Sequence, residues 1–224
     1  MKSIDSEAPA TVWDLPVRLF HWSIVALVAL SWWSAENSFD EVHFWSGYGL
    51  LFLLVFRILW GFCGSSTARF ASFVRGPAAV AAYLRGAGHR EPGHSPIGGL
   101  SVLAMVLALG VQIASGLIQM DEDDFVEGPL AGVVGYRASV LAHEVHEVSF
   151  NILAGLIALH LIAIAWYELV RGRALVRPML TGRAVLPQGV APMTPAAKGR
   201  FAACLTGALL VSGAVVAAGW LLPG

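Results

Sequence analysis

Five long apolar runs constrain this chain more than any other feature. The first covers roughly 17–34. The second, "HFWSGYGLLFLLVFRILWGF", covers 43–62, and the third, "IGGLSVLAMVLALGVQIASGLI", covers 97–118. A fourth begins near 138, carries "NILAGLIALHLIAIAWY" and reaches 170, and the fifth, "FAACLTGALLVSGAVVAAGWLL", covers 201–222. A membrane-crossing helix needs about 20 apolar residues, and four of the runs reach or exceed that; the first does so only with its flanks. The runs are continuous rather than alternating, and in lipid a continuous run satisfies its backbone only as a helix. Charged residues make up 13% of the chain, against about 25% in a soluble domain. The expected fold is therefore an all-α integral membrane protein. A four-helix transmembrane bundle occupies residues 1–183, and a linker with a fifth transmembrane helix occupies 184–224. The N-terminus is mixed in charge and lacks a small-residue cleavage site, so no signal peptide is expected. Nor is a soluble domain expected at either end. Cys63 and Cys204 are far apart in sequence and lack metal-ligand spacing, so both read as small apolar residues.

The loops set an orientation. The second-to-third connection carries Arg69, Arg75, Arg85 and Arg90. The fourth-to-fifth carries Arg171, Arg173, Arg177, Arg183, Lys198 and Arg200. The other two connections are acidic: Glu36, Asp40 and Glu41 in one, and "MDEDDFVEG" in the other, with Arg137 as its sole base. The excess of Lys and Arg on one side predicts a cytoplasmic N-terminus and a periplasmic C-terminus in a bacterial inner membrane.

Ionisable residues inside such runs are costly and mark function. His21 opens the first segment and His43 the second, while His146 lies early and His160 late in the fourth. The last two are fourteen residues apart, about 21 Å along a helix and within about 40° of whole turns, so they share one face at two depths. Two stacked haems need that separation and a structural metal site does not. Depth then pairs His43 with His146 on the periplasmic side and His21 with His160 on the cytoplasmic side. Imidazole is a standard axial ligand to haem iron, and bundle cores hold cofactors between facing helices. The plain alternative for each histidine is a hydrogen bond between helices.

Several neighbours carry two readings. Arg57 lies fourteen residues after His43, on nearly the same face, where it would pair a haem propionate or snorkel to the surface. Arg18, one turn before His21, has the same two readings. Gly47, four after His43, would let a porphyrin approach the backbone or serve plain helix packing. His94, in "GHSPIGGL", would bond a propionate or a quinone oxygen, or cap the third segment. His89 reads as a loop residue. "HEVHE" is not the HExxH zinc motif, so His143 with Glu144 and Glu147 reads as an outward polar rim. Trp13 and Trp22 are expected near the headgroups, and Pro16 suits a helix start.

The stretches "VWDLPVRLFHW", "HFWSGYGLLFLLVFRILWGFCGSSTARFASFVRGP", "GHSPIGGLSVLAMVLALGVQIASGL", "HEVSFNILAGLIALH" and "RPMLTGR" occur in this order over about residues 12–183. In that order and spacing the chain resembles the bacterial cytochrome b561 family, related to the b-type cytochrome subunits of nickel–iron hydrogenases. The resemblance implies two haem b groups, with His21, His43, His146 and His160 as ligands, and "HE" in the fourth segment selects His146 over His143. It implies electron transfer between membrane quinone and a partner or small oxidant. A fifth segment rich in small residues departs from the usual four, and would bind a partner subunit or a second copy.

The function expected is a di-haem relay between the quinone pool and a periplasmic redox partner, such as a cytochrome c drawn to the acidic loop or a dehydrogenase subunit. Bis-histidine ligation leaves no open iron site, which favours relay over oxygen activation. The rival readings are a superoxide:quinone oxidoreductase, which the acidic outer loops disfavour, a membrane anchor subunit of a hydrogenase or other dehydrogenase, and a haem-free scaffold or transporter. Nothing in the chain suggests nucleic acid as a partner.

Overall fold

The computed structural model describes residues 9–87, 92–122 and 126–221. Among the described residues five helices are long and apolar enough to cross a membrane: α1 (Leu15–Glu36), α2 (Asp40–Cys63), α5 (Pro96–Ile118), α7 (Tyr136–Leu169) and α9 (Arg200–Leu221). Four short helices lie in the connections: α3 (Phe70–Phe73), α4 (Pro77–Leu84), α6 (Ala131–Val134) and α8 (Val176–Thr181). The chain is an all-α, multi-span bundle, with each expected span extended by at most a few residues.

The helix starts are written locally. Asp14 Oδ1 accepts from the Val17 amide at 2.8 Å, with a proline in the first turn, so α1 begins earlier than its apolar run. Ser95 Oγ does the same for α5, accepting from the Gly98 amide at 3.2 Å. Asp40 and Glu41 occupy the first turn of α2, where the helix dipole favours negative charge. A tight turn joins α1 to α2 and holds Ser38 at φ 55°, in the left-handed region. It folds the start of α2 back along the end of α1. Helix α7 has 34 residues, about 51 Å of helix against a hydrocarbon core of about 30 Å, so its ends outlast the bilayer.

Packing is organised as two helical hairpins. Helix α1 lies on α2, and α5 lies on α7; α2 and α5 touch only lightly. One apolar cluster joins the hairpins at mid-depth: Leu50, Leu51 and Leu54 of α2, Leu109 and Ile113 of α5, and Leu153 of α7. A second cluster lies at the end with the basic loops and includes Val12, Trp13, Val17, Phe56 and Trp60. Trp13 is thus turned inward rather than set against lipid, whereas Trp22 is exposed, its indole donating to the Met179 carbonyl at 3.3 Å.

The fifth span is part of this body. Helix α9 packs on α2 and buries Cys204, Ala208 and Ser212. A Cβ at Gly207 would come within 3.1 Å of Leu59, so the small residue allows the close approach. The two cysteines, distant in sequence, are neighbours across this contact. The linker before α9 is stitched down as well. Residues Ala10–Thr11 pair antiparallel with Arg183–Ala184, the Met193 amide donates to the Thr11 carbonyl at 3.0 Å, and the Ser66 amide donates to Thr194 at 2.9 Å. On the opposite side Met120–Asp121 pairs with Val126–Glu127. Arg90 and the centre of the acidic loop lie outside the described residues.

Gly61 shows how tightly the basic end is packed. A Cβ there would collide with the Phe70 ring of α3. Gly61→Val is expected to cost about 1–3 kcal/mol, read as a lower midpoint of thermal unfolding in detergent. Gly47→Ala, where nothing lies within 4 Å of the new Cβ, should leave the stability of haem-free protein within about 0.5 kcal/mol of the parent.

Candidate functional site

Two histidines meet at the end of the bundle that carries the acidic connections. The α1–α2 turn lays the first turn of α2 beside Ser31 of α1. There His43 Nδ1 lies 2.9 Å from the Ser31 carbonyl oxygen and 3.3 Å from its hydroxyl. His146, on α7, has Nδ1 at 2.9 Å from the Gln112 carbonyl oxygen of α5. A carbonyl oxygen only accepts, so in both rings Nδ1 carries the proton and Nε2 carries the lone pair. This is the arrangement of metal-binding histidines, whose second nitrogen commonly donates to a backbone carbonyl that fixes tautomer and ring orientation.

The two rings face each other from different hairpins, with centroids 6.2 Å apart and planes at 80°. Among the described residues no group of three or more His, Cys, Asp or Glu side chains converges on a metal position. A haem takes fewer protein ligands than such a group, so a pair of histidines is a candidate to hold one. Gly116 of α5 makes room for one ring, since a Cβ there would sit 2.7 Å from His146 Cε1. Gly47 has open space where its side chain would be, so helix packing does not account for it.

Gln112 is the residue that the sequence reading missed. Besides its carbonyl, its side-chain amide reaches His146 Nε2 at 3.0 Å, and its Oε1 accepts from the Ser149 hydroxyl. Ser115 stands 3.4 Å from His146 Nδ1. An amide in the middle of "VLALGVQIASGL" was the available signal, because a polar side chain inside a span needs a partner.

At the other end, His21 of α1 and His160 of α7 are electrostatic neighbours across the same two hairpins. His21 meets Trp22 edge-on at 4.9 Å, and its Nδ1 is buried with no hydrogen-bond partner among the described residues. A buried ring nitrogen without a partner is costly in protein alone and fits a group that binds there.

Arg57 is buried at 3% exposure, so it does not snorkel. Its Nη1 donates to the Ala68 carbonyl at 3.2 Å, and its guanidinium lies 4.9 Å from the Phe70 ring centre, 5.8 Å from Phe73 and 6.0 Å from Phe20. Asp14 is its electrostatic neighbour, held in turn by the Trp60 indole at 3.1 Å. Arg18 does not run free to the surface either: Nη1 donates to the Leu180 carbonyl at 2.5 Å, closing the last turn of α8. The His94 ring lies between those of Trp13 at 4.7 Å and Phe73 at 4.8 Å, tilted to both. The cap, one of three readings of His94, is made by Ser95, whose hydroxyl stands one residue nearer the helix and reaches its amide. His143 joins a half-exposed rim, with Nδ1 at 3.2 Å from Gln119 and Nε2 at 3.9 Å from Asp121 and 4.0 Å from Glu147. His89 lies outside the described residues.

Residues 12–182 match the family model for prokaryotic cytochrome b561. No curated protein and no solved structure matches the chain.

In haem-free protein, Gln112→Leu removes the partner of His146 Nε2 but keeps the backbone carbonyl. It should cost about 1–3 kcal/mol in the thermal unfolding of that form. Were His146 to hold a haem through Nε2, loading with haem should shrink that cost, since the lone pair would no longer need Gln112.

Proposed function

Because the chain belongs to the prokaryotic cytochrome b561 family, a family of membrane-embedded electron carriers, we propose that it holds two b haems and relays electrons between the quinone pool and a periplasmic redox partner. His43 and His146 would hold one haem, and His21 and His160 the other. The observation that carries this reading is the His43–His146 pair, 6.2 Å apart with both Nδ1 protons committed to backbone carbonyls. When bound, haem supplies a one-electron iron couple whose potential the protein tunes through ligation, charge and burial.

The chain's own residues divide the remaining work. The Ser31 and Gln112 carbonyls fix the ring tautomers and raise the basicity of Nε2. The leucine-rich cluster between the two levels excludes water and keeps the sites distinct. Arg57 places a positive charge among the rings beside Phe20, the chain neighbour of His21, and would favour the reduced iron at that level. Arg18 and His94 lie in the same region, but their contacts to Leu180 and to Trp13 and Phe73 make them supports of the site more than direct contacts to a propionate.

The positive-inside rule supports a cytoplasmic N-terminus and a periplasmic His43–His146 level. The His143, Asp121 and Glu147 rim would then face the periplasm, where it would attract a basic redox protein. Association with another subunit or a second copy would use the outward face of α9, with Leu209, Leu210 and Val211, since much of its small-residue face is taken by α2.

A reduced-minus-oxidised spectrum of the purified protein should show b-type haem at two per chain. A spectrum without haem bands would leave the scaffold or transporter reading. His146→Ala and His160→Ala should each remove about half of the haem absorbance, and the haem that survives should differ in redox titration. Retention of both haems in either variant would refute the ligand pairs. Arg57→Leu should lower the potential of the His21–His160 haem, on the order of 50 mV, and shift the other by less. Equal shifts would show that the charge does not act locally.

A further inference from the structure

A groove of about 400 Å³ runs along the outside of the bundle at its basic end, between α1 and α8, within the range of small-molecule clefts. Leu15, Leu19 and Ala26 of α1 form its long wall, and Met179 and Leu180 of α8 its short one. The α1 residues recur at helical spacing, so the wall continues from the helix start towards the membrane centre. Arg18 and Trp22 stand at its polar part.

The charge around the groove is one-sided. Arg171, Arg173, Arg177 and Arg183 lie exposed on the segment that carries the α8 wall. Between Glu168 and Arg200 the sequence has no other carboxylate. Glu168 itself accepts from the Leu175 and Val176 amides at 2.5 and 2.8 Å. Asp14, the acid nearest in sequence to Arg18, is committed to the α1 cap and to Trp60. Among the described residues Arg18 forms no ion pair. An apolar groove with Arg18 in its lining and an arginine-rich segment as one wall, at a membrane interface, matches a ligand with a hydrocarbon tail and an anionic head.

We propose that this groove is a binding site for an anionic glycerophospholipid. One acyl chain lies along Leu19 and Ala26, and the phosphate faces Arg18 and the arginines of the α8 segment. The proposal does not depend on the haem reading, so haem content serves as an independent check of folding.

The test titrates delipidated protein in mild detergent with phosphatidylglycerol or phosphatidylcholine, and counts bound lipid by native mass spectrometry. The parent should show one saturable site that prefers phosphatidylglycerol about tenfold or more. Ala26→Trp, which fills the groove and leaves the Arg18–Leu180 bond intact, should abolish that site and keep the haem spectrum. Arg177→Gln, on the exposed face of α8 and outside the Arg18–Leu180 bond, should weaken phosphatidylglycerol binding about fivefold and leave phosphatidylcholine binding unchanged. Equal affinity for the two lipids would overturn the proposal, as would a phosphatidylglycerol site that survives Ala26→Trp. A short-chain quinone that binds the parent, fails to bind Ala26→Trp and displaces the lipid would make the groove a quinone site instead.

Discussion

The hydrogen bond from an imidazole Nδ1 to a helix carbonyl is the interaction on which this architecture turns. Each hairpin contains one: His43 to Ser31 binds α2 to α1, and His146 to Gln112 binds α7 to α5. A helical carbonyl has a second lone pair, so the bond needs no break in the helix. In lipid, where neither group has water as an alternative, such a bond ties neighbouring helices together. The same bond sets the tautomer, and so leaves the lone pair of each ring on Nε2, which in His146 faces the Gln112 amide.

The seam owes its openness to how the rest of the bundle packs. Helices pair strongly within each hairpin and lightly between α2 and α5. The leucine-rich cluster closes the middle of the seam and leaves a histidine level at each end. Small residues adjust the fit in opposite ways. Gly116 is needed because the His146 ring fills the space of a Cβ, while Gly47 leaves space that no protein atom takes. Helix α2 is the most buried span, at 44% over its most apolar window, because α1, α5 and α9 all pack against it.

The basic end is held by a different kind of contact. Residues Val12 and Trp13 donate to the Gly182 carbonyl, Thr67 donates to the Val12 carbonyl at 2.7 Å, and Arg18 closes α8. These contacts join segments that are more than 50 residues apart in sequence. They bury Arg57 in an aromatic cage, where its charge acts at short range because little water screens it. The stretch around His21 is therefore at once a helix start, the dock for α8 and one side of a candidate site.

The sequence by itself determined the spans, their number and the two depths of the histidines. Apolar run length and the fixed rise of a helix leave little freedom in lipid, so His146 and His160 had to share a face about 21 Å apart. The arginine-rich loops likewise carried the expectation of orientation, through the positive-inside rule. What only the tertiary structure decided was which groups touch. Gln112 as the partner of His146, Ser31 as the partner of His43, the cage around Arg57 and the inward turn of Trp13 all depend on how one helix rotates and slides against another. Those quantities are set by side-chain packing between distant segments, and a pattern read along a single helix does not contain them. The fifth span shows the same division: its composition announced close packing, and the fold chose α2 as the surface it packs on.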